Sequence, residues 1–168
     1  MAKKSSHLVQ MALAALLMLP VTVLGQVTAD MTASKVVLED HKEVLASAKQ
    51  AKPGDVIEYR VVYRNRDKAA ARNVMATLPV PQGMEYLPRT ASPMQVMAST
   101  NSSDFASVPL KRQVKKADGS VQEEEVPYSE YRFLRWNLGE LPGGSSRSVS
   151  ARMRIVTTAV AAPAAAKQ

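Results

Sequence analysis

Apolar and polar residues alternate along much of this chain, most clearly at residues 56–64. Ile57, Tyr59, Val61 and Tyr63 fall on one side of this stretch, and mostly charged residues fall on the other. Because successive side chains of a strand point to opposite faces, the alternation predicts a half-buried β-strand.

A Pro-Gly pair precedes that strand. Pro53 and Gly54 suit the central positions of a type II turn, whose second central residue needs a positive φ. The segment before it, residues 38–45, is ambiguous, because it fits either a short amphipathic helix or two strands around a polar turn. We favour two strands, at residues 34–38 and 43–46.

Further short strands follow, each separated from the next by turn residues or proline. They are predicted at residues 72–78, 84–87, 93–99, 131–138 and 147–156, with a single helical turn at residues 128–130. Trp136, the only tryptophan, is expected in the core. Seven to nine short strands without a long helix predict an all-β fold, an antiparallel immunoglobulin-like β-sandwich over residues 31–156.

The pair Asp118-Gly119 gives the strongest hairpin signal, because both residues tolerate the positive φ of a type I′ turn. A two-residue loop there predicts that Arg112 faces Glu125. The first strand of the hairpin is basic and the second is acidic, so we expect a solvated hairpin that projects from the domain. Its candidate interaction residues are Arg112, Lys115, Lys116, Glu123 and Glu125.

The N-terminal segment has the three parts of a secretory signal peptide: two lysines, a short apolar run and small residues. We predict a signal peptide at residues 1–25, cleaved after Gly25 or, alternatively, after Ala29. An uncleaved anchor is disfavoured because polar residues and proline interrupt a run already short for a membrane span. The protein is therefore expected to be exported to the periplasm, cell surface or medium, with a disordered Ala/Pro-rich tail at residues 157–168.

The composition fits one exported domain. The chain has 168 residues, 46% of them hydrophobic, which suffices for a single core. It has no cysteine, so thiol chemistry and disulfides are excluded. The formal net charge is +7, and loss of Lys3 and Lys4 with the signal peptide leaves +5. A basic balance can favour anionic partners such as polysaccharide, lipopolysaccharide or nucleic acid.

The sequence offers little for catalysis. Only two histidines occur, and only His41 lies beyond the predicted signal peptide, so a catalytic triad or histidine metal site lacks partners. The acidic run at residues 123–125 cannot flank a substrate, because neighbouring strand residues point to opposite faces. We therefore expect no enzymatic activity, no cofactor, no metal and no small-molecule substrate.

Four arginines form the remaining candidate site. They are predicted on the outward faces of two strands, and they would join into an anion-binding stripe if those strands are neighbours in one sheet. The alternative is an ordinary charged surface that discourages edge-to-edge aggregation. The four residues are Arg60, Arg64, Arg152 and Arg154.

Several motifs closely resemble the bacterial conserved repeat domain, also called domain of unknown function eleven, and the resemblance runs from about residue 33 to residue 156. They are Lys52-Pro53-Gly54-Asp55-Val56-Ile57-Glu58-Tyr59, Tyr63-Arg64-Asn65, Asn73-Val74, Leu78-Pro79, Gly83-Met84-Glu85-Tyr86, Trp136-Asn137-Leu138-Gly139 and Leu141-Pro142-Gly143-Gly144. The resemblance implies an immunoglobulin-like domain of exported or surface proteins that serves as a spacer, adhesive or structural module. This chain carries a single copy.

Two functions follow as expectations. The first is an exported, non-enzymatic structural or protein-interaction module of the cell envelope, surface or matrix, which binds an unknown partner or itself, with β-strand addition as a route to assembly. The second is a binder of anionic polymers, whose affinity would fall steeply with salt.

Overall fold

The computed structural model describes residues 27–156. The predicted signal peptide (residues 1–25) and the predicted tail (residues 157–168) lie outside the described residues. Residues 27–156 form eleven strands: β1 (Val27–Glu39), β2 (Lys42–Ser47), β3 (Val56–Asn65), β4 (Ala71–Pro79), β5 (Met84–Tyr86), β6 (Met97–Ser99), β7 (Ala106–Ser107), β8 (Lys111–Lys115), β9 (Val121–Glu125), β10 (Phe133–Leu141) and β11 (Ser146–Ile155). Two turns of 3₁₀ helix cover Ala48–Gln50 and Tyr128–Glu130, and in this range no helix is long enough to cross a membrane.

The strands form two antiparallel sheets and a separate hairpin. The first sheet has the order β2-β1-β3-β11-β5, the second has the order β4-β10-β6-β7, and β8 pairs only with β9. Buried side chains from both sheets meet in one hydrophobic core. The predicted all-β antiparallel sandwich is confirmed, with nine strands in its two sheets and two more in the hairpin.

The strand β3 lies at the centre of the first sheet, between β1 and β11. Its inner face follows the predicted alternation: Ile57 and Val61 are buried, and Tyr59 and Tyr63 pack against the core. The turn before it is the predicted one, because Gly54 has a φ of 91° and the Asp55 N–H donates to the Lys52 carbonyl at 3.0 Å.

Trp136 of β10 anchors the core, as predicted. It is 1% exposed, and its Nε1 donates to the Pro93 carbonyl at 2.8 Å, which satisfies the one polar atom of the ring. Leu134 and Leu138 flank it on the same buried face. Replacing a tryptophan in such a position with alanine costs about 3–5 kcal/mol.

The ambiguous segment at residues 38–45 is strand, as favoured above. The strands β1 and β2 are joined by a two-residue turn in which Asp40 and His41 have φ values of 48° and 62°. However, β1 starts at Val27, well before the predicted start at residue 34.

The strand predicted at residues 93–99 was too long, because only Met97–Ser99 belongs to β6. Ser92 instead pairs with Ser150 of the first sheet, so the segment after it crosses between the two sheets. Met94, in the part of the predicted strand that lies outside β6, is 66% exposed.

The hairpin register also differs by one residue from the prediction. The loop is a type I turn followed by a glycine in the left-handed region: the Gly119 N–H donates to the Lys116 carbonyl at 3.0 Å, and Gly119 alone in the loop has a positive φ, of 86°. Ser120 holds Asp118 in this arrangement through its N–H, at 2.9 Å from Asp118 Oδ1. The longer loop places Arg112 opposite Glu124 rather than Glu125.

Candidate functional site

The four candidate arginines lie on the outer face of the first sheet. Arg60 and Arg64 are on β3, and Arg152 and Arg154 are on the neighbouring strand β11. The strands are therefore side by side, as a basic stripe requires. The register sets Arg152 opposite Glu58 and Arg60 opposite Ser150, so an acidic residue lies within the stripe.

Carboxylates pair with three of these arginines. Arg152 contacts Glu43 at 2.8 Å and Glu58 at 3.3 Å, and the same Glu58 contacts Arg60 at 3.2 Å. Arg64 Nε lies 3.6 Å from Asp30 Oδ2. The hydrogen bond from Arg152 holds the pKa of Glu43 below its usual value, and Glu43 in turn raises the pKa of Arg152. The face is a mixed ion-pair network rather than a field of uncompensated positive charge.

The hairpin also has internal charge pairs. Lys111 Nζ contacts Glu123 at 2.7 Å, Lys116 contacts Glu124, and Arg112 contacts Glu130 of the neighbouring 3₁₀ turn at 2.8 Å. These pairs are largely exposed and contribute little stability individually.

Two further hairpin candidates, Lys115 and Glu125, lie on exposed positions of its two arms. Neither makes an ion pair within 4 Å among residues 27–156. The hairpin therefore presents a charged surface in which most groups are already paired.

A regular stretch of backbone without a second partner strand lies on β1. Along the side of β1 away from β3, β2 pairs only with the part from Ser34 to Glu39. Residues 27–33 pair with β3 on one side and with no strand of the described chain on the other. We call residues 27–33 the free edge of β1.

Alternation decides which backbone groups the free edge exposes. The two-residue turn at Asp40 and His41 makes Glu39 and Lys42 a hydrogen-bonded pair, so odd-numbered residues of β1 bond toward β2. The bonds of β11 fit the same alternation. On the side of β11 away from β3, the even-numbered Ser150 exchanges two backbone hydrogen bonds of 2.8 Å with Ser92, which leaves the odd-numbered residues to bond to β3. The outward N–H and carbonyl groups are therefore those of Val27, Ala29, Met31 and Ala33.

Most side chains along the free edge are small or polar. Residues 29–33 are all exposed. Met31 is the largest side chain there, and it is 56% exposed. Asp30 is the only charged residue among residues 27–33, and neither lysine nor proline, the usual protectors of sheet edges, occurs there.

The strand β4 also lies at a sheet edge, but a side chain closes it. The hydroxyl of Tyr63 accepts a hydrogen bond from the Thr77 N–H at 3.1 Å and lies 3.4 Å from the Thr77 carbonyl, to which it donates. Toward its start, β4 is distorted, since Asn73 has a φ of 55° and the register with β10 shifts near Gly139. A partner strand would find no regular ladder on this edge.

Sequence reasoning missed the free edge, although a signal for it was present. Residues 27–33, VTADMTA, alternate apolar and polar side chains without a break. One predicted cleavage site, after Ala29, falls inside this alternation. Which side of the strand stays unpaired, by contrast, depends on β2 and cannot be read from these seven residues.

The described residues 27–156 contain no group of three or more His, Asp or Glu side chains placed to hold a metal ion. Comparison of the chain with protein-family models, with curated proteins and with solved structures found no match. The resemblance to the conserved repeat domain therefore stays a prediction from its motifs.

Proposed function

We propose that this protein is an exported, non-enzymatic interaction module that binds an extended segment of a partner protein by β-strand addition on the free edge of β1. The observation that carries the proposal is the row of outward N–H and carbonyl groups on four alternate residues of β1. Main-chain hydrogen bonds give such complexes their affinity, and alternate side chains give them specificity.

A single backbone substitution tests this function. Peptides selected for binding from a displayed library of random heptapeptides should lose binding to Met31→Pro, because proline removes one outward donor. Met31→Ala keeps that donor and should bind nearly as well as the wild type. Failure to enrich any peptide, or equal binding to Met31→Pro, would reject strand addition at this edge.

Export is tested by the N-terminus of the secreted protein. Mass spectrometry should find Gln26 as the first residue, because cleavage after Ala29 would remove the first three residues of β1. A protein that keeps residues 1–25 inside the cell would contradict the exported location.

Binding of anionic polymers is the alternative, and the ion pairs of Arg60, Arg64 and Arg152 give it less support. Retention on heparin that falls steeply with salt and weakens in Arg152→Glu would favour it over strand addition.

A further inference from the structure

In the described part of the chain, the free edge of β1 spans seven residues. At one end Val27 pairs with Asn65, the last residue of β3, and at the other end Ser34 is already paired with Ser47 of β2. An incoming strand therefore has seven residues to pair with, about 23 Å at the usual rise per residue.

The two faces of the free edge impose different requirements on a partner. Ala29, Met31 and Ala33 are apolar and share one face of the sheet, so apolar partner side chains would pack beside them across the ladder. Asp30 lies on the outer face between Thr28 and Thr32. Its carboxylate is 3.6 Å from Arg64, and both side chains are more than half exposed, so this ion pair is weak and leaves Asp30 able to accept a second cation.

A second copy of this chain fits the free edge poorly. The antiparallel register that uses all seven residues pairs position 27 with position 33 and sets the two Asp30 carboxylates directly opposite each other. Like charges in that position are destabilising. A shift of two residues in either direction separates the carboxylates but shortens the ladder to five pairs.

We propose that the occupant is a segment of a different protein that pairs antiparallel with residues 27–33, with a lysine or arginine opposite Asp30 and apolar residues on either side of it. This inference rests on the proposed function and adds the register and the charge of the partner. The basic residue takes the place that a second Asp30 would occupy, and all seven pairs form.

Two peptides that differ in one residue test the inference. VTVKVTV and VTVEVTV, each fused through a Gly-Ser linker to the same soluble carrier, place their central residue opposite Asp30 and their valines beside the inner face. We expect the lysine peptide to bind about three- to tenfold more tightly, given the size of cross-strand charge effects. In Asp30→Lys the order should invert, and in Glu140→Lys, an exposed control on β10 with the same change in net charge, it should not.

Amide hydrogen exchange of the full protein separates the possible failures. Protection of the Ala29, Met31 and Ala33 amides by the lysine peptide, with the order of affinities above, supports the inference. Equal protection by both peptides, or an order that Asp30→Lys does not invert, overturns the inference while strand addition stands. Concentration-dependent protection of the same amides without peptide would make a second copy the occupant and also overturn it. If neither peptide protects any amide of residues 27–33, the proposed function itself fails.

Discussion

The long strands β1 and β4 each have a stretch without a neighbouring strand in the described chain, and the two stretches have opposite properties. On β4 the hydroxyl of Tyr63 satisfies both backbone groups of Thr77, and Asn73 interrupts the regular strand conformation. On β1, residues 27–33 form a regular strand whose outward backbone groups have no partner strand in the described chain. Unprotected edges promote aggregation, so this contrast between the two edges is the basis of the binding proposed for β1.

Two adjacent proline substitutions should distinguish the N–H groups of β1 that bond to β3 from those that face outward. Asp30→Pro removes an N–H that bonds to β3, and it should lower the free energy of unfolding by about 2–3 kcal/mol. Met31→Pro removes an outward N–H and should cost less than about 1 kcal/mol. Urea unfolding followed by Trp136 fluorescence measures both. Equal losses would mean that the alternation assigned to this edge is wrong.

Removing one hydroxyl should open the edge that is now closed. Tyr63→Phe leaves both backbone groups of Thr77 without their partner, and we expect a loss of about 1–2 kcal/mol with faster amide exchange at Thr77. Tyr59→Phe is the matched control, because the Tyr59 hydroxyl contacts only the Met84 sulfur, at 3.4 Å. If the two variants behave alike, the Tyr63 hydroxyl does not protect β4.

The charged hairpin should prove independent of both edges. Gly119 has a φ of 86° and open space around it, so Gly119→Ala costs only backbone strain, about 1 kcal/mol. Gly119→Asn should recover part of that loss, because asparagine tolerates the left-handed region. Peptide affinity at the free edge should stay unchanged in both variants. A change in that affinity would show that the hairpin contributes to the binding site.

Acid should weaken the pairing of β2 with residues 34–39 of β1 more than it affects the free edge. We expect this to be the smallest of the effects. Arg152 holds the pKa of Glu43 on β2 below its usual 4.5, and Lys35 together with the Lys52 N–H lowers the pKa of Asp55. A carboxyl group whose pKa is lower in the folded state than in the unfolded state stabilises the fold at pH values above its unfolded pKa. That contribution is lost as the pH falls through its folded pKa.

Amide exchange of β2, corrected for its intrinsic pH dependence, measures this loss. It should rise below about pH 4.5 in the wild type, because protonated Glu43 no longer binds Arg152 as an ion. Glu43→Gln should show the faster exchange already at neutral pH. Exchange in β2 that is as slow at pH 3 as at pH 7 would argue against a role for this ion pair.

The fold was largely predictable because its signals are local. Turn residues such as Gly54 and the alternation around Ile57 and Val61 specify where strands lie and which face is buried. One failure was local: the hairpin register slipped because Asp118 did not adopt a positive φ. The other was non-local: the strand predicted at residues 93–99 was too long, because Ser92 pairs with the other sheet. Likewise, the arginines were expected on one face, but the carboxylates of Glu43 and Asp30, which pair with them, come from other strands.

The sequence by itself determined the all-β class, the buried face of β3 and the burial of Trp136, because side-chain direction in a strand follows a two-residue period that neighbouring residues set. The tertiary structure alone decided that β2 stops at Ser47, that Tyr63 reaches Thr77 and that the free edge of β1 stays unpaired. Strand order and strand length depend on contacts between residues far apart in the chain, so the place proposed for binding emerges only when the sheets are assembled.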